Sequence, residues 1–124
     1  MAPQNFLTSF RRTLESGLPG EEAHQLLMPM KRPLSSVAKA KTSDYRESAV
    51  GIVLHPFKDS IHCILIRRPS YEGAHSGQIS FPGGKRDASD IDLEFTARRE
   101  CLEEIALPHQ HAELIHPLTE VFIP

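Results

Sequence analysis

Apolar positions along this chain change rhythm twice. Phe6, Leu7, Phe10 and Leu14 recur every three to four residues, which predicts a helix from Asn5 to about Glu15. Gly17-Leu18-Pro19-Gly20 breaks that pattern, and a second helical piece follows over Glu21–Met28. Residues 33–45 lose the rhythm and read as a mobile connector. From Arg46 the pattern tightens. Ser48–His55 and Ile61–Arg67 read as strands joined by a turn through Pro56–Ser60. Gln78–Phe81 is a short strand running into Pro82-Gly83-Gly84. Ile91–Ala106 is a helix stopped by Pro108, and Glu113–His116 and Thr119–Ile123 have strand character. The organisation expected is a helical segment with connector over 1–45, then an α/β domain over 46–124.

Composition narrows the class. Fourteen Lys plus Arg against sixteen Asp plus Glu leave a net charge of −2, without the cationic surplus of a nucleic-acid or membrane-surface binder. No apolar run approaches the ~18 residues a membrane helix needs. Two cysteines, Cys63 and Cys101, are too few for a disulfide framework and suit a reducing compartment. Arg11 and Arg12 in an amphipathic N-terminus suggest an organelle-targeting segment, but Glu15, Glu21 and Glu22 argue against one, so the location expected is cytoplasmic. The final Glu120-Val121-Phe122-Ile123-Pro124 is largely apolar, so the fold reads as truncated at its C-terminus.

The chemistry concentrates in GGKRDASDIDLEFTARRECLEEIAL, residues 83–107. On a helix with Glu100 at zero, Glu104 lies at about +40° and Glu103 at about −60°, so three carboxylates share a face. The opposite arc carries Cys101, Leu102, Ile105, Ala106 and Phe95 and is expected to pack on a sheet. Arg98 falls inside that arc and must snorkel or reach Glu94. Crowded carboxylates repel each other, and a hard divalent cation would offset this, with Mg²⁺ or Mn²⁺ preferred over zinc. Upstream, Gly83 and Gly84 permit close backbone approach, and Lys85 and Arg86 follow as cations for phosphate oxygens. Each feature alone has a plainer reading, a solvated helix face or a simple turn. Together they are the equipment for metal-assisted attack of water on a diphosphate.

Gly84, five residues, Asp90, and then Arg99-Glu100-Cys101-Leu102-Glu103-Glu104 resemble the Nudix box, G-x5-E-x7-R-E-U-x-E-E-x-G-U, where U is aliphatic. Asp90 stands where the pattern has its first Glu, or else caps the helix. The spacer after it is one residue longer, Cys101 takes an aliphatic slot and Ala106 replaces the late Gly. The resemblance implies an α/β/α sandwich with a mixed sheet, the box (84–107) forming loop–helix–loop. It also implies a metal-dependent diphosphatase of nucleoside diphosphate-linked substrates. Glu100 and Glu104 match metal ligands, with Glu103 as a further ligand or water-positioning group and Gly83 offering a carbonyl. The general base is assigned jointly to Glu100, Glu103 and Glu104. Arg99 completes the catalytic set as an orienting ion-pair partner.

Leu65-Ile66-Arg67-Arg68 and the run His75 to Gly84 resemble the extra motif of the coenzyme A pyrophosphatase branch. That implies hydrolysis of coenzyme A or acyl-CoA to 4′-phosphopantetheine and adenosine 3′,5′-bisphosphate. Arg67, His75, Gly84, Lys85 and Arg86 are then the substrate-binding candidates. Two rivals remain: the same box serving ADP-ribose or nucleoside triphosphates, and a non-catalytic fragment that binds metal or ligand. For a fold cut short, low activity is expected, or a second copy covering an open sheet edge as a homodimer. His109, His111 and His116 lack the cysteine partners of a zinc site.

Overall fold

The first helical rhythm becomes α1, Pro3–Glu15, and the second α2, Gly20–Leu27, whose first turn carries Glu21 and Glu22 where the helix dipole favours anions. The structure, a computed structural model, describes residues 3–29, 32–73 and 76–124. The connector contains a helix that the sequence pattern did not announce, α3 over Ser35–Lys41. Its cap comes from far along the chain: the Glu21 carboxylate accepts from the Ser36 amide at 2.8 Å and the Ser36 hydroxyl at 2.6 Å. Those two bonds hold the Glu21 carboxyl below its usual range. Ala38 is buried on the helix, Ser35 donates to the Glu120 carbonyl, and Lys39 pairs with the Glu120 carboxylate. The apolar stretches after residue 112, expected as strands, form no ladder; Glu120 ties its segment to α3 by side chains instead. None of the described helices is long and apolar enough to cross a membrane.

Spatial clustering divides the chain into two units, one containing Arg46–Glu113 and the other Asn5–Tyr45 with Leu114–Pro124. The first carries the box. Its strands are β1 (Ser48–Val50), β2 (Leu54–Phe57), β3 (Ser60–Cys63), β4 (Ile66–Arg67), β5 (Ile79–Ser80) and β6 (Gly83–Lys85). They pair antiparallel as β1 with β6, β2 with β3, and β4 with β5. The α/β character is as expected, but no parallel pair of a mixed sheet occurs among the described residues. The expected long strand 48–55 is interrupted after Val50. There the Gly51 amide donates to the Pro82 carbonyl at 2.8 Å, and the space where its side chain would stand is taken by the Cys101 sulfur. Lys58 adopts the left-handed conformation (φ 54°), which tightens the hairpin turn and lets pairing run on through Pro56 and Phe57.

The last helix, α4, spans Leu93–Ile105 and packs on β1, β6 and a 3₁₀ turn at His109–His111. Asp92, not Asp90, is its N-cap, accepting from the Phe95 amide at 2.7 Å. Ala106 closes the other end in the left-handed conformation, with the Leu107 amide returning to the Cys101 carbonyl. The face it buries matches the arc expected only in part. Cys101 is buried as expected, but Leu102 is 46% exposed and Ala106 is also exposed, whereas Thr96, outside that arc, is fully buried. Thr96 lies beside Glu100 on the wheel, so part of the polar side is packed in together with Cys101. Gly83 and Gly84 make this possible, because a β carbon at Gly84 would stand 2.4 Å from a Glu100 oxygen. The Arg98 question resolves toward Glu94: its Nε donates to that carboxylate at 2.8 Å, while Nη1 donates to the carbonyls of His109 and Ala112 instead of extending into solvent.

Candidate active site

Asp90 anchors the site from below. Only 3% exposed, its carboxylate accepts from the Asp87 amide at 2.9 Å, the Thr96 hydroxyl at 2.9 Å, and Arg99 through Nε at 3.1 Å and Nη2 at 3.0 Å. A buried charge with this many donors is compensated rather than stranded. The Arg99 guanidinium holds the Asp90 carboxyl well below the usual carboxylate range, and Asp90 in turn pushes Arg99 further up.

Arg99 distributes the rest of its donors upward. Nη1 donates to Glu100 at 2.9 Å and reaches Glu103 at 3.4 Å, while Nη2 also donates to the Lys85 carbonyl at 3.0 Å. One planar cation therefore links the buried anchor, strand β6 and two carboxylates of the acidic face. Glu104 is placed differently: its Oε2 accepts the Gly83 amide at 2.9 Å. Register explains why only glycine serves at position 83, where a β carbon would stand 2.4 Å from the Ala49 carbonyl oxygen and 2.6 Å from the Val50 α carbon. Cys101, between the acidic residues, turns its thiol to Gly51; burial, followed by the charges of Glu104 and Glu100, pushes that thiol up and leaves it a packing group.

Of the residues singled out from the sequence, Gly83, Gly84, Arg99, Glu100, Glu103 and Glu104 meet where α4 crosses β6, with Lys85 contributing its carbonyl. Arg86 is engaged elsewhere, pairing with Glu47 at 2.7 Å and donating to the carbonyls of Asp90 and Ile91. Arg67 lies exposed on the β4–β5 ladder, and His75 lies outside the described residues. Sequence reading missed Thr96 and Glu47. Thr96 had a signal in its position three residues before Arg99 on one helix, whereas Glu47 had none.

Among the described residues, no three His, Cys, Asp or Glu side chains converge on one cation position. The donors at hand nevertheless suit a hard divalent ion. Glu100 and Glu104 lie one turn apart against the glycine strand, where only carboxylate and backbone oxygens are offered and the thiol faces away. The NUDIX domain family matches residues 45–123, well over half of the chain.

The chain belongs to the Nudix family.

Nudix members are hydrolases of small nucleotide-linked substrates and generally use divalent ions such as Mg²⁺ or Mn²⁺. Two relatives named "Uncharacterized Nudix hydrolase NudL" come from Yersinia pestis (strain Pestoides F) and Yersinia pseudotuberculosis serotype O:1b (strain IP 31758). Each is 46% identical over 55 residues, which is 44% of this chain and 26% of the relative. The likeness thus covers about a quarter of the length of these relatives. At the first acidic position of the Nudix box, the loop Asp87–Asp92 brings Asp90 to Arg99, with Thr96 as an added donor.

Proposed function

We propose that this chain carries the centre of a divalent-metal-dependent diphosphatase acting on coenzyme A or acyl-CoA, releasing 4′-phosphopantetheine and adenosine 3′,5′-bisphosphate. The observation that supports it most is the placement of Glu100 and Glu104 against the Gly83–Gly84 strand, braced by Arg99 on a buried Asp90. Glu100 and Glu104 would hold Mg²⁺ or Mn²⁺, aided by the Gly83 carbonyl. When bound, such an ion would supply charge neutralisation on a diphosphate oxygen and lower the pKa of an attacking water. The protein's own part is positional. Arg99 fixes Glu100 and Glu103 relative to β6, so little reorganisation is needed when negative charge develops. Glu103 has a side chain 56% exposed and is open to water, and it shares the proton-accepting role with Glu100 and Glu104. In the overall reaction a water oxygen joins one phosphorus, the bridging P–O bond breaks, and the water proton passes to a carboxylate.

The substrate half rests on Arg67-Arg68 and the segment from His75 to Gly84, which resemble the coenzyme A branch, with Lys85 exposed beside the site for an anion. Parallel incubations with Mn²⁺ and coenzyme A, ADP-ribose or a dNTP test it, with products separated by chromatography. The expected result is cleavage of coenzyme A at the diphosphate, with the other two slower by about tenfold or more. Fast ADP-ribose cleavage beside intact coenzyme A would transfer the assignment to the ADP-ribose reading. No turnover of any of the three, by this chain or by a longer polypeptide bearing it, would contradict the enzyme.

A further inference from the structure

The β2–β3 hairpin carries chemistry unlike that of the acidic face. Its antiparallel register sets His55 directly opposite His62, so the two imidazoles share one side of the ladder. Their ring centres are 5.7 Å apart with planes 37° from parallel. Phe57 meets His62 edge-on at 5.4 Å, which restricts how far that ring can swing. Two imidazoles sharing one ion through bonds of about 2.0–2.1 Å have ring centres roughly 4–6 Å apart, closer at a right angle and wider as the angle at the ion opens, since each centre lies about 1 Å behind its nitrogen. The spacing found here falls in that window with the backbone as it stands.

We propose that His55 and His62 form a two-imidazole site for a late first-row divalent ion, Zn²⁺, Cu²⁺ or Ni²⁺, separate from the acidic face of α4. Ligand chemistry sets the class, because imidazole suits these ions while Mg²⁺ and Mn²⁺ favour carboxylates. Among the described residues no third His, Cys, Asp or Glu completes the shell, so water fills it and the site is an open chelate rather than a closed structural zinc centre. Cys63 is the register partner of Leu54 and falls on the other side of the ladder.

The consequence is mechanical. Among the described residues β2 and β3 pair only with each other, and a lone two-stranded hairpin is marginal in water. An ion that needs both rings binds only the zipped hairpin and therefore stabilises the pairing by mass action.

Titration of the chain with CuCl₂, followed by ¹H–¹⁵N NMR and calorimetry, tests this. Signals of residues 54–57 and 60–63 should broaden first, and excess Mg²⁺ should leave the binding unchanged. His55→Asn and His62→Asn should each weaken it by about tenfold or more, since one imidazole cannot chelate alone. Glu104→Gln should not alter it, which separates this site from the proposed hydrolytic one. Unchanged affinity in either histidine variant, or first broadening at His24, His109, His111 or His116, would overturn the proposal. Were a variant to disturb the hairpin, amide exchange of the unmodified chain decides: Zn²⁺ should slow exchange across 54–63, and no slowing would sink the site.

Discussion

Helices α1 and α4 have the same length, 13 residues, and opposite designs. α1 shows the clearer apolar stripe, with Phe6 stacked on Phe10 at 5.5 Å, yet none of its residues is buried. α4 has a poor stripe, and it buries Thr96 and Cys101, caps both ends and spans the densest ion-pair network described. Hydrophobic period reports that a segment is helical. Which side of it becomes interior is decided in α4 by hydrogen-bonded charge and by glycines that make room for it.

The contrast can be broken most severely at the strand under α4. Gly83→Ala drives a methyl into the β1 backbone, which cannot yield as a side chain can, and should cost about 3 kcal/mol in urea unfolding. Thr96→Val removes a donor from buried Asp90 and should cost about 1–3 kcal/mol, although valine restores apolar volume. The same network sets acid sensitivity. Because Arg99 depresses the Asp90 carboxyl, its contribution is complete above about pH 4, the ordinary aspartate range. It fades as pH falls below that value toward the depressed one. Asp90→Asn should therefore flatten the pH dependence of the unfolding midpoint between pH 5 and pH 2, two settings chosen to bracket the transition at about pH 4. Ala106→Gly should stabilise by about 1 kcal/mol, since the left-handed cap ceases to strain a β carbon. In α1, Ser9→Gly should cost only about 0.5 kcal/mol, read as a small loss of helical circular dichroism.

Much of this was legible in the sequence because local rules were enough. The breaks at Gly17–Gly20 and Pro108 bound helices as expected, and the box spacing put Glu100, Glu103 and Glu104 together on one turn. What stayed hidden depends on partners distant in sequence. α3 needs Glu21 as its cap, fifteen residues upstream, and Arg86 needs Glu47. The buried face of α4 was foreseen only in part for the same reason: a wheel sorts residues by polarity, and bonds from Thr96 and Arg99 to buried Asp90 draw polar groups inward beside Cys101. The strand expected over 48–55 divides because Gly51 makes space for Cys101, a contact spanning fifty positions.

The account turns on Glu104 being a metal carboxylate, and Mn²⁺ binding read by electron paramagnetic resonance tests that most directly. Glu104→Gln keeps an oxygen for the Gly83 amide but removes the charge, so the fold should persist. The account predicts Mn²⁺ affinity lower by about tenfold or more in the variant, at unchanged melting temperature. Equal Mn²⁺ affinity in the two proteins would contradict it.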